Sequence, residues 1–212
     1  MTPDGAARLK SATVTVALLT FAVSALLIAS GQIDEAAVRF GFIPARASGM
    51  AIEGGLPMWL TPLSATLVHG GWLHLGLNLV MLVYVGAQVE RVLGTGSLLF
   101  AYLVGAFVAA FAQWLANPGA VVPMVGASGA ISALFGIYAL LAASPKAVTR
   151  SPRLNRAIHV AWLLVAWIAI QWMTDMLSAG QGVMLATPAH IGGFIAGLAL
   201  ERPLLLWRYR RA

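Results

Sequence analysis

Three groups of residues in this chain have types and spacings that could do chemistry. His69, His74 and Asn78 lie in HGGWLHLGLN, Ser128 lies in VGASGAISALFG between Gly126 and Gly129, and His190 lies in TPAHIGGFIAG. A serine within reach of a histidine is the minimum for an activated nucleophile. The imidazole takes the hydroxyl proton and later delivers it to a leaving amine. Attack on a carbonyl puts negative charge on its oxygen, which then needs donors. Asn78, His74 and the backbone N–H of Ser128 are the candidates, and losing one such donor typically costs about 3–4 kcal/mol of transition-state stabilisation.

Residues so far apart in sequence need a scaffold to bring them together. Of the 212 residues, 60% are hydrophobic and 9% charged, against about a quarter charged in an ordinary soluble domain. The solvent for such a chain is largely lipid. There is no cysteine, so disulfides and thiolate metal sites are excluded. Six apolar segments stand out, at about 12–30, 72–89, 97–115, 128–143, 158–177 and 189–207. Each is near the roughly 20 residues that cross a bilayer, the fourth being short. All should be helices, since lipid offers no partner to a free backbone N–H or C=O. The expected fold is an all-α, six-span membrane bundle, one domain over 1–212. The first segment follows Arg8 and Lys10 and ends near a small-residue Ala29-Ser30-Gly31, which is also a signal-peptide pattern. Its apolar part is long for that, favouring a retained span.

The formal charge of +6 invites a nucleic-acid partner, but its distribution argues for membrane topology instead. Arg8, Lys10, Arg91, Lys146, Arg150, Arg153, Arg156, Arg202, Arg208, Arg210 and Arg211 fall on one side of a six-span topology, and Arg39 and Arg46 on the other. The positive-inside rule then puts both termini in the cytoplasm, as for a multi-pass protein of the cell (inner) membrane. Spans two, four and six all begin on the outer side, so His69, His74, Asn78, Ser128 and His190 share one depth. Between spans one and two, the stretch from Gly31 to Gly71, with Pro44, Pro57, Trp59 and Pro62, is expected to be an irregular, partly embedded outer segment.

Helix faces point the same way. His74 and Asn78, four apart, project from one side of span two. Ser128, Ser132 and Gly136 form a small-residue stripe on span four, and Ala189, Gly193 and Gly197 form another on span six. Such stripes let backbones approach closely, and if these two meet, Ser128 and His190 come together at the outer end. Thr187 and Pro188 are expected to be an N-cap and first-turn pair for span six.

These motifs resemble the rhomboid family of intramembrane serine proteases: His69, His74 and Asn78 on span two, Gly126-Ala127-Ser128-Gly129 on span four, and Ala189-His190 with Gly193 and Gly197 on span six. VGAQVERVLG between spans two and three adds to the likeness, which covers about 60–200. The resemblance implies a Ser128–His190 dyad without an acidic third member, oxyanion contacts from His74 and Asn78, and no cofactor or metal. It implies single-span membrane-protein substrates, cut near the outer surface at small residues. Many members carry a tyrosine four residues after the nucleophile, against which the histidine stacks; here that residue is Ser132, so His190 must be oriented otherwise. The family's Trp-Arg pair in the first outer loop is not evident, since Trp59 and Arg46 are not adjacent.

Plainer readings stand beside these. Ser128 could be a packing serine, His190 an interfacial histidine on a carbonyl, Asn78 interhelical glue, and His69 either a structural loop histidine or oxyanion support. A zinc site from His69, His74 and His190 is disfavoured: His69 and His74, five apart, would sit about 140° apart round a helix, unlike the four-residue spacing of a zincin pair. Asp175, near the outer end of span five, is expected in interfacial water rather than as a triad acid. A catalytically inactive relative that binds membrane proteins would be expected to lack Ser128 or His190. A small transporter would be expected to show repeat halves or a mid-depth acid, and neither is visible. The sequence sets neither the oligomeric state nor the natural substrate.

Overall fold

The computed structural model describes residues 11–143, 145–179 and 186–210, apart from the side chains of 172 and 174–179. Arg8, Lys10, Arg211 and the Asp175 side chain lie outside what is described. Among the described residues the chain is helical, with one isolated antiparallel bridge, Phe42 to Met124. The helices are α1 (Ala12–Ala29), α2 (Ile33–Phe40), α3 (Pro44–Ala47), α4 (Thr61–Ser64), α5 (Trp72–Leu93), α6 (Thr95–Ala116), α7 (Ser128–Ala142), α8 (Pro152–Ala179) and α9 (Thr187–Arg208).

Of these, α1, α5, α6, α8 and α9 are long and apolar enough to cross a membrane, while the apolar α7 has 15 residues. The short helix is the central one. It packs on α9, α6 and α5, whereas α8 rests mainly on α9 and is the least buried of the long helices. The core of the bundle is built on Leu82, Val85, Val89, Leu98, Leu134 and Ile137. Against the sequence reading, α5 runs four residues further, to Leu93, and α8 starts at Pro152 rather than near 158. Gly94, with φ +82°, ends α5 and opens α6 in a single residue, a left-handed conformation that glycine adopts without a Cβ penalty.

Glu90 anchors the first helix. Its carboxylate accepts from the Ser11 hydroxyl (2.6 Å), the backbone N–H groups of Ala12 (2.8 Å) and Thr13 (3.0 Å), and the hydroxyls of Thr13 (2.7 Å) and Thr95 (2.9 Å). The first N–H groups of a helix have no intrahelical partner, and a carboxylate there also meets the positive end of the helix dipole. One side chain on α5 therefore fixes the starts of both α1 and α6. Toward the same end of the bundle, where Tyr209 after α9 donates to Val92 O, Arg156 of α8 pairs with the buried Glu201 of α9 at 2.6 Å.

The stretch from Gly31 to Gly71, expected to be irregular, instead carries α2, α3 and α4, and it is docked. Besides the Phe42–Met124 bridge, Ala45 N–H donates to Ala120 O and Gly126 N–H to Ala65 O. Ser48 donates to Pro118 O and accepts from the Trp114 indole. Arg46 reaches Leu56 O at 2.8 Å, bracing the stretch internally. The segment leading into Ser128 is thus held along its length by the segment leading into α5.

Candidate active site

Ser128 is the first residue of α7. Two features create the turn before it. Gly126 has φ +108°, and a Cβ there would lie 2.7 Å from His74 Nε2, so only glycine fits. His69, fully buried, then takes hold of the next residue: its Nε2 accepts the Ala127 N–H at 3.4 Å. Ser24 of α1 gives its hydroxyl proton to Leu67 O at 2.7 Å, so its oxygen accepts from His69 Nδ1–H at 2.9 Å. His69 carries its proton on Nδ1 and ties α1 to the turn. Burial holds its imidazole well below the ordinary value, at about 3, so it stays neutral.

Placing Ser128 at a helix start leaves its own N–H outside the intrahelical ladder, at the positive end of the dipole. His190, on the first turn of α9, meets it: Nε2 lies 2.7 Å from Ser128 Oγ. The approach is possible because α7 and α9 meet backbone to backbone. A Cβ on Gly193 would run into Gly129 O, one on Gly197 into Ala133 O, and one on Gly136 into Phe194 O. Gly129 itself packs on Ala109 of α6, whose Cβ lies 2.6 Å from where a Cβ at 129 would sit.

His74 accepts the Gly70 N–H on Nδ1 at 3.3 Å. A neutral ring so bonded carries its proton on Nε2, the atom that faces Gly126. Asn78 donates one amide hydrogen to His74 O at 2.9 Å and keeps a second. The His69 and His74 rings meet edge to face, 4.9 Å between centroids. Both ring nitrogens of His69 are committed to protein groups, and among the described residues no three His, Asp or Glu side chains converge as a metal-ligand set.

A cavity of about 290 Å³ opens from Ser128 between α5 and α8, lined by Asn78, Met81, Phe135, Trp167, Gln171 and His190 among others. Its lining is mostly apolar with a few convergent polar groups, the usual character of a binding cleft.

The arrangement is a serine on a histidine at the mouth of an apolar cleft, and a family model described as the rhomboid domain matches residues 57–207. The chain belongs to the rhomboid family. It is similar to the rhomboid protease GlpG of Pectobacterium atrosepticum, 33% identical over 190 residues that make up 89% of this chain and 60% of that protein. The GlpG proteins of Yersinia pestis and Yersinia pseudotuberculosis are 30% identical over 192 residues, with the same coverage. The chain thus spans about 60% of the length of the curated relatives it matches.

One feature of this rhomboid chain differs from the sequence reading, and two more go beyond it. Thr187 is not a cap: Ala186 takes that position, and Thr187 and Pro188 form the first turn without a side-chain capping bond. Ser132, where many rhomboids have tyrosine, turns inward along its own helix and donates to Ser128 O at 2.8 Å. Sequence reasoning missed the contacts of α8: Gln171 Oε1 lies 2.7 Å from His190 Nδ1, and the Trp167 indole donates to His190 O at 3.3 Å. The signal was available, since Gln171 is a polar amide inside the apolar run WIAIQWM.

Proposed function

We propose that this rhomboid is an intramembrane serine endopeptidase that cuts single-span membrane proteins through Ser128 and His190. The observation that carries the reading is the 2.7 Å contact between His190 Nε2 and Ser128 Oγ at the start of α7. His190 Nε2 takes the serine proton as Oγ attacks the scissile carbonyl. The tetrahedral oxyanion is stabilised by the Ser128 N–H, His74 Nε2–H and the second Asn78 amide hydrogen, all fixed before substrate arrives. Collapse breaks the C–N bond, and the amine leaves with the proton from His190. Water then hydrolyses the Ser128 ester by the same route in reverse. His69 acts behind the site, holding the Ala127 backbone rather than touching substrate.

The apolar cleft between α5 and α8 suits a hydrophobic segment better than a soluble peptide, which supports membrane-protein substrates. We place all six apolar helices across the cell membrane, α7 included because α5, α6 and α9 surround it. Both termini are cytoplasmic by the charge bias described above, and Ser128 and His190 lie toward the outer surface.

The test is cleavage of a tagged single-span substrate in liposomes by wild type, Ser128→Ala and His190→Ala. Cleavage by wild type alone, with both variants folded, supports the dyad. Cleavage by all three sinks it. Should none of the three cut, labelling of Ser128 by a fluorophosphonate decides: a labelled serine keeps the nucleophile reading, an unlabelled one leaves a binding-only protein.

A further inference from the structure

We propose that Gln171 is the positioning residue for His190, holding the imidazole through Nδ1 so that Nε2 is left unprotonated toward Ser128. The inference rests on the reading of His190 as general base. A neutral imidazole has one N–H and one acceptor nitrogen, and which is which depends on the partner each meets. Gln171 Oε1, 2.7 Å away, is a carbonyl oxygen with no proton to give, so Nδ1 must donate. Nε2 then presents its lone pair to the Ser128 proton, 2.7 Å from Oγ. The reverse tautomer would point an N–H at Ser128 and leave no base.

The geometry around this bond is built for it. Gln171 is buried, with 8% of its surface exposed. Trp167 stands one turn earlier on the same face of α8, its ring stacked on Phe194 with centroids 4.8 Å apart and planes 8° apart, and its N–H on His190 O. A second face of that indole meets Phe135 of α7 at 5.0 Å. The aromatic contacts fix α8 against α7 and α9 at the level of His190, and the amide one turn further along reaches the ring. Ser132 makes no such contact, because its hydroxyl is spent on Ser128 O. The ring is therefore oriented by a hydrogen bond from a different helix, and its orientation depends on α8 staying in place.

The experiment compares full-length wild type, Gln171→Leu and Gln171→Glu in detergent micelles, with Ser128→Ala and His190→Ala as references. Two readouts are taken: kcat and KM on the tagged single-span substrate, and the imidazole 15N spectrum of histidine-labelled protein, in which His190→Ala assigns the His190 signals. The expected result for Gln171→Leu is a kcat lowered about 10- to 100-fold with KM changed by less than about twofold, and a His190 Nδ1–H signal lost to mixed tautomers. Gln171→Glu, which keeps an acceptor oxygen at the same reach, restores both. The other three histidines report whether each variant is folded. Wild-type kcat in a folded Gln171→Leu, a loss confined to KM, or an unchanged His190 tautomer overturns the proposal. If wild type neither cuts nor is labelled at Ser128, the protease reading falls, while the 15N spectrum still decides whether Gln171 sets the tautomer.

Discussion

Gly193 rests its Cα against the carbonyl oxygen of Gly129, within one turn of the hydrogen bond between His190 and Ser128. The serine and histidine side chains are neighbours because two backbones touch. A methyl at 193 has to push α9 away from α7, and the displacement is delivered directly to the His190–Ser128 distance.

Gly193→Ala should therefore lose stability and activity together. Overpacking of this kind costs about 1–3 kcal/mol, and a change of 1 Å between reacting groups can cost about 100-fold in rate. Denaturant titration alongside substrate cleavage checks it. A variant as stable and as active as wild type would show that the seam between the helices gives way freely.

Asn78→Ala should lower kcat about 100- to 1,000-fold and leave KM nearly unchanged, because an oxyanion donor acts on the transition state and not on the bound substrate. If Asn78 serves instead as a link between helices, the loss appears as a lower unfolding midpoint with kcat of the folded fraction preserved.

Glu90→Ala should destabilise the fold by about 2–3 kcal/mol, since it strands the hydroxyls and N–H groups of Ser11, Ala12, Thr13 and Thr95 that one carboxylate now satisfies. The site is remote, so kcat at temperatures well below the unfolding transition stays at the wild-type value. A matching drop in kcat at low temperature would mean that α1 and α6 shape the site more directly than their contacts suggest.

His69 makes folding sensitive to acid. Its imidazole stays neutral in the fold down to about 3 because burial opposes the charge, whereas in the unfolded chain it protonates near pH ~6.5. Between those values the unfolded state holds the extra proton, so stability is full above about 6.5 and falls as pH drops. His69→Gln should lower the melting temperature at neutral pH, where it loses one of two linked hydrogen bonds, yet show a shallower decline on acidification. Parallel pH dependence of the melting temperature for both proteins, from above the linkage window at about pH 7.5 to inside it at about pH 4.5, would rule out His69 as the titrating group.

The parts of this molecule that could be read from sequence are those governed by local rules. Apolar runs starting at Ala12, Trp72 and Ser128 coincide with helix starts, since lipid leaves a spanning backbone no other hydrogen-bonded form. Ser128 and His190 stand out because polar groups are scarce in such runs. Gln171 obeys the same rule, but its neighbours WIAI and WM give no hint of a partner 19 residues away. Ser24 looks like an ordinary small residue of α1; only the fold, which brings it 45 residues along the chain to His69, gives it a task. The cap at Ala186 was missed by one position because Thr-Pro suits both a cap and a first turn. In the stretch before α5, the pairing of Phe42 with Met124 joins segments without periodicity, so nothing local announces it.

The hydrogen bond between Ser128 and His190 spans 62 residues of chain, and that separation sets a timetable for biosynthesis. At about 5–20 residues per second, roughly 3–12 s pass between translation of the serine and translation of the histidine proposed as its base. The loop contacts to Ala120, Met124 and Gly126 can form in that interval, since everything they need has already left the ribosome. The base, together with the helix that carries it, comes last. On the proposed reading, a nascent chain in the insertion machinery thus holds a shaped but unarmed serine. That serine meets its proposed base only once α9 has docked, after the helices before it have been made.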